Sequence, residues 1–186
     1  QGNVLLVHGE GGRFSEEAEA LGVFDGHWAW NARFADLDQD EWQDLYLVNG
    51  WWLETSIYPN DFFHNRQGEG FDSRAEEFGL DGRKKQHAFV LLDLDRDGDL
   101  DIVTRSLPGD LDVYTNAMQE GESIVFELRD ERGNSHGIGA RVTIRYGEGG
   151  ERQQMRQLKS GGGFVSFDEP VLHFGLGPWK RVSGVT

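Results

Sequence analysis

The sequence lacks cysteine altogether, which excludes a disulfide framework and any metal site built on thiolates. It also lacks a long apolar run. A membrane-spanning helix requires roughly 20 apolar residues, so we expect no transmembrane segment. Basic residues are scarce, with 18 lysines and arginines against 33 aspartates and glutamates among 186 residues. Because nucleic acids are bound through basic surfaces, a net charge of −15 argues against a nucleic-acid partner.

Residue groupings that carry catalysis in known enzymes are missing as well. The six histidines are scattered, no two are spaced as H-x-x-x-H, and no serine lies in a G-x-S-x-G motif. The glycine-rich segments 137–139 and 161–163 are not followed by Lys-Ser or Lys-Thr, so we interpret them as turns. His173, which lies between two apolar residues, is interpreted as a packed, hydrogen-bonded side chain. We therefore predict that the chain is not an enzyme.

What the sequence does contain is an acidic pattern that occurs twice, Asp-x-Asp-x-Asp-x-x-x-Asp, each time between apolar runs. Its carboxylates are Asp36, Asp38, Asp40 and Asp44 in the first copy and Asp93, Asp95, Asp97 and Asp101 in the second. Side chains two residues apart in a tight loop can converge, and calcium takes about six to eight oxygens at about 2.3–2.6 Å. The backbone carbonyls of Trp42 and Asp99, at the seventh position, would add one ligand to each loop. Since clustered carboxylates repel one another without a cation, the pattern predicts two calcium sites.

The sixth position of the pattern distinguishes the two copies. Gly98 suits a sharp turn, whereas Glu41 in the first copy is expected to strain or weaken that loop. An EF-hand is the obvious alternative, but it requires a glutamate at the twelfth position and a helix on either side. Leu47 and Thr104 occupy that position, and the short β-branched or aromatic flanks favour strands. The prediction is therefore a strand, a calcium loop and a second strand.

The two acidic copies belong to a longer repeat. A shift of 57 residues superimposes both loops without a gap and also pairs other residues that precede them. The further pairs are Asn3 and Asn60, Phe14 and Phe71, Ala18 and Ala75, and Gly22 and Gly79. Residues 16–20 and 74–77 are each predicted to form one helical turn, capped by Gly22 and Gly79. A period of this length with about four short strands is typical of one β-propeller blade.

These repeats resemble the FG-GAP/VCBS repeats of integrin-α-like propellers over roughly residues 1–116. The resemblance rests on the two acidic loops, on Asn-Val-Leu-Leu before the first loop, and on Gly-x-Gly-Phe, residues 68–71, between the two. It implies that each loop joins neighbouring strands of a blade and binds calcium through the aspartates named above. A third unit begins at Leu111–Asn116, but its spacing is broken.

The sequence pattern changes at Ser123. From there short strands are predicted, one of them at residues 161–167, and glycine-rich turns separate them. The segments that begin Gly-Ile-Gly-Ala-Arg-Val, Ser-Gly-Gly-Gly-Phe and Leu-His-Phe-Gly-Leu-Gly resemble the ASPIC/UnbV domain over about residues 121–186. This resemblance implies a secreted or surface context and no defined chemistry.

The expected fold is all-β. Residues 1–118 are predicted to form partial β-propeller blades, and residues 121–186 a small β-sandwich-like domain. Two blades cannot close a ring, so the expected partners are the remainder of the same chain or other protein subunits. The start without Met and the end inside an apparent strand, residues 182–186, lead us to expect a fragment or a processed chain.

The function that these features favour is a calcium-dependent binding or adhesion module, located outside the cell, in the periplasm or on the cell surface. One alternative is a structural subunit of a cell-surface or secreted assembly. A second is an accessory domain of a polysaccharide-active enzyme. Four tryptophans, Trp28, Trp30, Trp51 and Trp52, are interpreted as packing between blades, with stacking on a glycan as the alternative.

Overall fold

The computed structural model describes residues 2–50, 57–107, 109–118 and 121–186, so the predicted pair Trp51 and Trp52 lies outside the described residues. Strands dominate these residues, and the helices among them are two short 3₁₀ turns, Glu10–Gly12 and Glu148–Gly150. The prediction of an all-β chain is confirmed. In the described ranges no helix is long and apolar enough to span a membrane.

The described strands form several small sheets. In chain order they are β1 (Leu6–His8), β2 (Phe14–Glu16), β3 (Ala29–Ala35), β4 (Asp44–Asn49), β5 (Asp61–Asn65), β6 (Phe71–Ser73), β7 (Gln86–Leu92), β8 (Asp101–Ser106), β9 (Leu111–Tyr114), β10 (Glu122–Glu127), β11 (Arg141–Tyr146), β12 (Arg152–Gln157), β13 (Val171–Gly177) and β14 (Val182–Val185). The strand orders within the sheets are β1-β2, β3-β4-β5-β6, β7-β8-β9, β10-β13 and β12-β11-β14. Over the described part of the chain no sheet closes on itself, and closure into a propeller stays a prediction.

The predicted repeat is visible in the strand positions. Strands β6, β7 and β8 begin and end 57 residues after β2, β3 and β4. Pairing repeats too, because Leu6 opposite Glu16 in the first hairpin corresponds to Phe63 opposite Ser73 in the second. The same interval therefore governs both strand position and register.

The predicted helical turns are present at the same interval. The Leu21 N–H donates to the Glu17 carbonyl at 2.9 Å, and the Phe78 N–H donates to the Arg74 carbonyl at 3.2 Å. Gly22 follows the first turn with a φ of +83°, and Gly79 ends the second with a φ of +69°. Glycine adopts this left-handed conformation without a Cβ penalty, which is why both turns stop there.

The acidic segments connect strands. The first joins β3 to β4, in the antiparallel sheet where Ala35 lies opposite Asp44, and the second joins β7 to β8. Strands on both sides of each segment confirm the strand–loop–strand prediction and exclude an EF-hand, which needs flanking helices.

The chain divides into two compact units, each discontinuous in sequence. The first comprises Gln1–Ala35, Trp42–Phe89 and Thr104–Asp112, and the second comprises Asp36–Glu41, Val90–Val103 and Val113–Thr186. Most of both acidic loops therefore belongs to the second unit. These limits differ from the predicted boundary between residues 118 and 121, which stays a prediction.

Each unit has its own apolar core. One buried cluster of the first unit, among the described residues, comprises Ala18, Val23, Leu45, Leu47 and Phe63. That of the second consists of Val142, Ile144, Tyr146, Leu158, Leu172, Phe174 and Leu176, with Ile124, Phe126 and Val182 packed against it. Alternate residues of β11 and β13 supply most of the second core, so these two strands, from different sheets, turn their apolar faces to one interior.

One strand prediction in the C-terminal region is wrong. Residues 161–167 form a single β-bridge between Gly163 and Ser166 instead of a strand. Val165 is 86% exposed and adopts a φ of +49°, and Phe167 is 66% exposed. Aromatic and β-branched residues favour a strand only where a neighbouring strand buries them, and here they face solvent.

Candidate metal centres

The two acidic loops have the same backbone. The fourth position, Gln39 or Arg96, has a φ of +63° in both loops. The sixth position, Glu41 or Gly98, has a φ of +86° or +96°. Two left-handed residues so close together coil each loop tightly enough for its carboxylates to approach one another.

The same type of hydrogen bond fixes the first aspartate of each loop. The Glu41 N–H donates to Asp36 Oδ2 at 3.0 Å, and the Gly98 N–H donates to Asp93 Oδ2 at 3.1 Å. The other oxygen of Asp36, Oδ1, has no hydrogen-bond partner among the described residues, whereas Asp93 Oδ1 also accepts a hydrogen bond from the Asp97 N–H at 3.1 Å.

Three carboxylates converge in each loop, with one oxygen from each lying within 4.8 Å of the others. The sets are Asp36, Asp38 and Asp40 in the first loop and Asp93, Asp95 and Asp101 in the second. Two oxygens bound to one calcium ion, each about 2.3–2.6 Å away, lie at most about 5 Å apart. The observed spacing is therefore compatible with one calcium ion in each loop.

The remaining predicted ligands lie as follows. Asp44 begins β4 in the first unit, where its Oδ1 accepts a hydrogen bond from the Asn65 N–H at 2.9 Å. Asp97 accepts a hydrogen bond from the Asp99 N–H at 3.2 Å. The Trp42 indole lies so close to Gly68 that a Cβ there would be 2.8 Å from it. Ligation by the Trp42 and Asp99 carbonyls stays a prediction.

The first loop holds uncompensated negative charge. Asp36 is only 2% exposed, and among the described residues its Oδ1 has no hydrogen-bond partner. Burial, followed by repulsion from Asp40 and Asp38, raises the pKa of Asp36 to about 7. The hydrogen bond from Glu41 and the attraction of Arg156 lower this pKa but do not offset the rise.

The second loop also holds uncompensated negative charge, at Asp99. Asp99 is 3% exposed, and within the described ranges its Oδ1 also lacks a hydrogen-bond partner. Burial and then the Asp97 carboxyl raise the pKa of Asp99 to about 7. Partial desolvation, followed by repulsion from Asp97 and Asp101, also raises the pKa of the exposed Asp95. A cation bound at either loop would stabilise the ionised carboxylates.

Sequence reasoning missed the residues that brace the loops. The Asn116 N–H donates to Asp101 Oδ1 at 2.8 Å, and its Nδ2 donates to the Leu100 carbonyl at 3.2 Å. Asn65 makes the equivalent pair of bonds after the first loop, to Asp44 Oδ1 and to the Gln43 carbonyl. The available signal was an asparagine at or just beyond the end of the next strand in each repeat, displaced from the 57-residue register. The opening strand of the third unit, β9, thus corresponds to β5.

Strand β13 packs against the first loop through two glycines. A Cβ added at Gly175 would lie 1.9 Å from Asp36 Oδ2, so only glycine fits beside that carboxylate. The Gly177 N–H donates to the Gln39 carbonyl at 2.8 Å. Farther along the same strand, His173 is 9% exposed and its Nε2 lies 2.9 Å from the Gly98 carbonyl. His173 is thus a packed, hydrogen-bonded side chain, as predicted, and burial lowers its pKa.

Comparison with known proteins identifies the C-terminal region. A family model described as ASPIC and UnbV matches residues 130–186, which include β11 to β14 and the glycines that contact the first loop. A search of curated proteins gave no match. The ASPIC/UnbV resemblance of the C-terminal region is thereby confirmed over residues 130–186.

Proposed function

We propose that the chain binds one calcium ion at each acidic loop and serves as a binding or adhesion module outside the cytoplasm. The observation that carries this proposal is the convergence of three carboxylates within 4.8 Å in each of two loops of matching backbone. The buried, unpartnered oxygens of Asp36 and Asp99 are a second, independent observation that favours a cation.

In this proposal Asp36, Asp38 and Asp40 hold the first ion, and Asp93, Asp95 and Asp101 hold the second. Asp44, Asp97 and the carbonyls of Trp42 and Asp99 complete the ligand sets that the repeat predicts. Bound calcium would neutralise the crowded carboxylates and fix the turns between strands, which is a structural role.

A location outside the cytoplasm is the context that the ASPIC/UnbV resemblance implies, and the family model matches residues 130–186. The proposed partners are the remainder of the chain or other protein subunits. A glycan is a further candidate ligand because the Trp28 side chain is 44% exposed and could stack on a sugar.

The alternative of a structural subunit is favoured by the hairpin β1–β2. Leu6 is 59% exposed and Phe14 is 64% exposed, and exposed apolar side chains of this kind suit a protein partner. A chain that binds glycans as a stable monomer would count against this alternative. The other alternative, an accessory domain of a polysaccharide-active enzyme, would be supported if the chain changed the activity of such an enzyme on polysaccharide.

Isothermal titration calorimetry of the chelator-stripped chain tests the main proposal. We expect two calcium ions to bind per chain, and we expect Asp36→Asn and Asp93→Asn each to remove one of them. Asp130→Asn, an exposed aspartate outside both loops, is the matched control and should leave the stoichiometry unchanged. Absence of calcium binding by a chain that circular dichroism shows to be folded would refute the proposal.

A further inference from the structure

The backbone of Gly98 connects both acidic loops to the C-terminal sheet. Its N–H holds Asp93 in the second loop, while its carbonyl accepts hydrogen bonds from Gln39 Nε2 at 3.2 Å and Ser123 Oγ at 2.5 Å. His173 Nε2 lies 2.9 Å from the same carbonyl. Gln39 belongs to the first loop, Ser123 to β10 and His173 to β13, so the Gly98 carbonyl is contacted by three separate segments of the second unit.

A second connection between the loops runs through Asn116. Its Nδ2 donates to the Leu37 carbonyl of the first loop at 2.6 Å and to the Leu100 carbonyl of the second loop at 3.2 Å. Its backbone N–H holds the Asp101 carboxylate. Movement of either loop therefore disturbs hydrogen bonds made by the other.

Strand β13 supports both loops from one face. His173 and Gly175 are two residues apart, so in an extended strand they point to the same side. His173 reaches the second loop at Gly98, and Gly177 bonds to the first loop at Gln39. Gly175 provides the space that the Asp36 carboxylate occupies.

We propose that the C-terminal sheet β10–β13 clamps the two acidic loops into one coupled unit, so that calcium at one loop raises the affinity of the other. This inference rests on the proposed calcium binding and assigns a role to the region that matches the ASPIC and UnbV model. The physical cause is shared ordering. Calcium at one loop immobilises Gly98, Gln39 and Asn116. The other loop is then already ordered, so the second ion binds with a smaller loss of conformational entropy.

Competition with a chromophoric calcium chelator measures this coupling on the full chain. We expect two ions to bind with a Hill coefficient above one. In Gln39→Met, which keeps the length of the side chain but removes the donor to Gly98, both ions should still bind while the Hill coefficient falls towards one. Gln43→Met is the matched control, since Gln43 lies four residues away and its side chain is directed to Phe34. It should behave as the unmodified chain.

Single-site variants provide the reciprocal test. Asp93→Asn should weaken calcium at the first loop about fivefold or more, and Asp36→Asn should weaken calcium at the second loop by the same factor, as linkage requires. Two ions that bind independently, or equal Hill coefficients in Gln39→Met and Gln43→Met, would overturn the coupling while leaving calcium binding intact. A folded chain that takes up no calcium would overturn the proposed function, and the coupling with it.

Discussion

The first and second acidic loops have matching backbones but different surroundings. Both have left-handed residues at the fourth and sixth positions and the same hydrogen bond to the first aspartate. In the first loop Asp36 and Asp38 are 2% and 4% exposed, whereas Asp95 in the second loop is exposed. The local pattern thus determines how a loop coils, while the segments packed against it determine how costly its charges are.

The hairpins that precede the loops show the same contrast. Leu6 in β1 and Phe63 in β5 occupy equivalent positions with equivalent strand pairing. Leu6 is 59% exposed, but Phe63 is 3% exposed. Strand β5 pairs with β4 on its other edge, whereas β1 pairs with β2 alone among the described strands. Burial in this molecule is therefore a property of neighbouring strands and not of the repeat itself.

The difference in burial between Phe63 and Leu6 predicts the largest effect on the free energy of unfolding. Phe63→Ala should lower the free energy of unfolding by about 3–5 kcal/mol, because it opens a cavity in the first core. Leu6→Ala should change it by about 0.5 kcal/mol or less, since that side chain is mostly solvated. Equilibrium urea denaturation measures both. Comparable losses in the two variants would show that β1 is buried in solution.

The pH dependence of stability tests the charge in the loops. Folding raises the pKa of Asp36 and Asp99 to about 7 from ordinary values near 4, so between those limits the folded chain binds protons that the unfolded chain has released. In chelator, the melting temperature should therefore fall by several degrees as pH rises from about 5 to 8. Excess calcium, which replaces these protons, should remove most of the fall.

Asp36→Asn is the control for that experiment, because an amide does not titrate. Its melting temperature in chelator should fall less with pH than that of the unmodified chain. A melting temperature that rises from pH 5 to pH 8 without calcium would contradict the assigned pKa directions.

The support of the first loop by β13 predicts an intermediate effect. Gly175→Ala should destabilise the chain by about 1–3 kcal/mol, since the added Cβ collides with the Asp36 carboxylate. Calcium affinity at the first loop should fall more than at the second. Gly184→Ala is the matched control, because the nearest atom to its Cβ would be 4.0 Å away. If calorimetry gave equal calcium affinities for the two variants, Gly175 would have no role in supporting the metal site.

The sixth position of each loop gives the smallest effect. Glu41 adopts a left-handed conformation that costs a residue with a Cβ about 1–2 kcal/mol. Its ion pair with Arg152, in which the Arg152 side chain is 45% exposed and the Glu41 side chain 9% exposed, offsets part of that cost. Glu41→Gly should therefore stabilise the chain by about 1 kcal/mol or less, whereas Gly98→Glu should destabilise it by about 1–2 kcal/mol. Urea denaturation that shows the opposite signs would contradict the strain assigned to Glu41.

The sequence was sufficient for features that depend on local spacing. The repeat, the strands that flank each loop and the glycine-capped turns all follow from residues close together in the chain. The convergent aspartates were predicted as a set of four, but the structure groups three in each loop, and the third member differs, Asp40 in one and Asp101 in the other. The shared residue pattern does not indicate which three aspartates converge.

Features that depend on distant segments could not be predicted. Gln39, Asn116 and His173 make their hydrogen bonds across long sequence separations, and the motifs that contain them do not indicate those partners. Strand β12, Arg152–Gln157, carries mostly polar residues, and its assignment depends on pairing with β11. Conversely, Phe164 and Val165 suggested a strand where no neighbouring strand covers them in the described structure.

The most direct test of calcium binding by the two loops is an anomalous difference map from crystals of the full chain grown with calcium. We predict one peak in each loop, with the oxygens of its three convergent aspartates about 2.3–2.6 Å away. Ordered loops without a peak in the presence of excess calcium, or peaks only at other positions, would contradict this account.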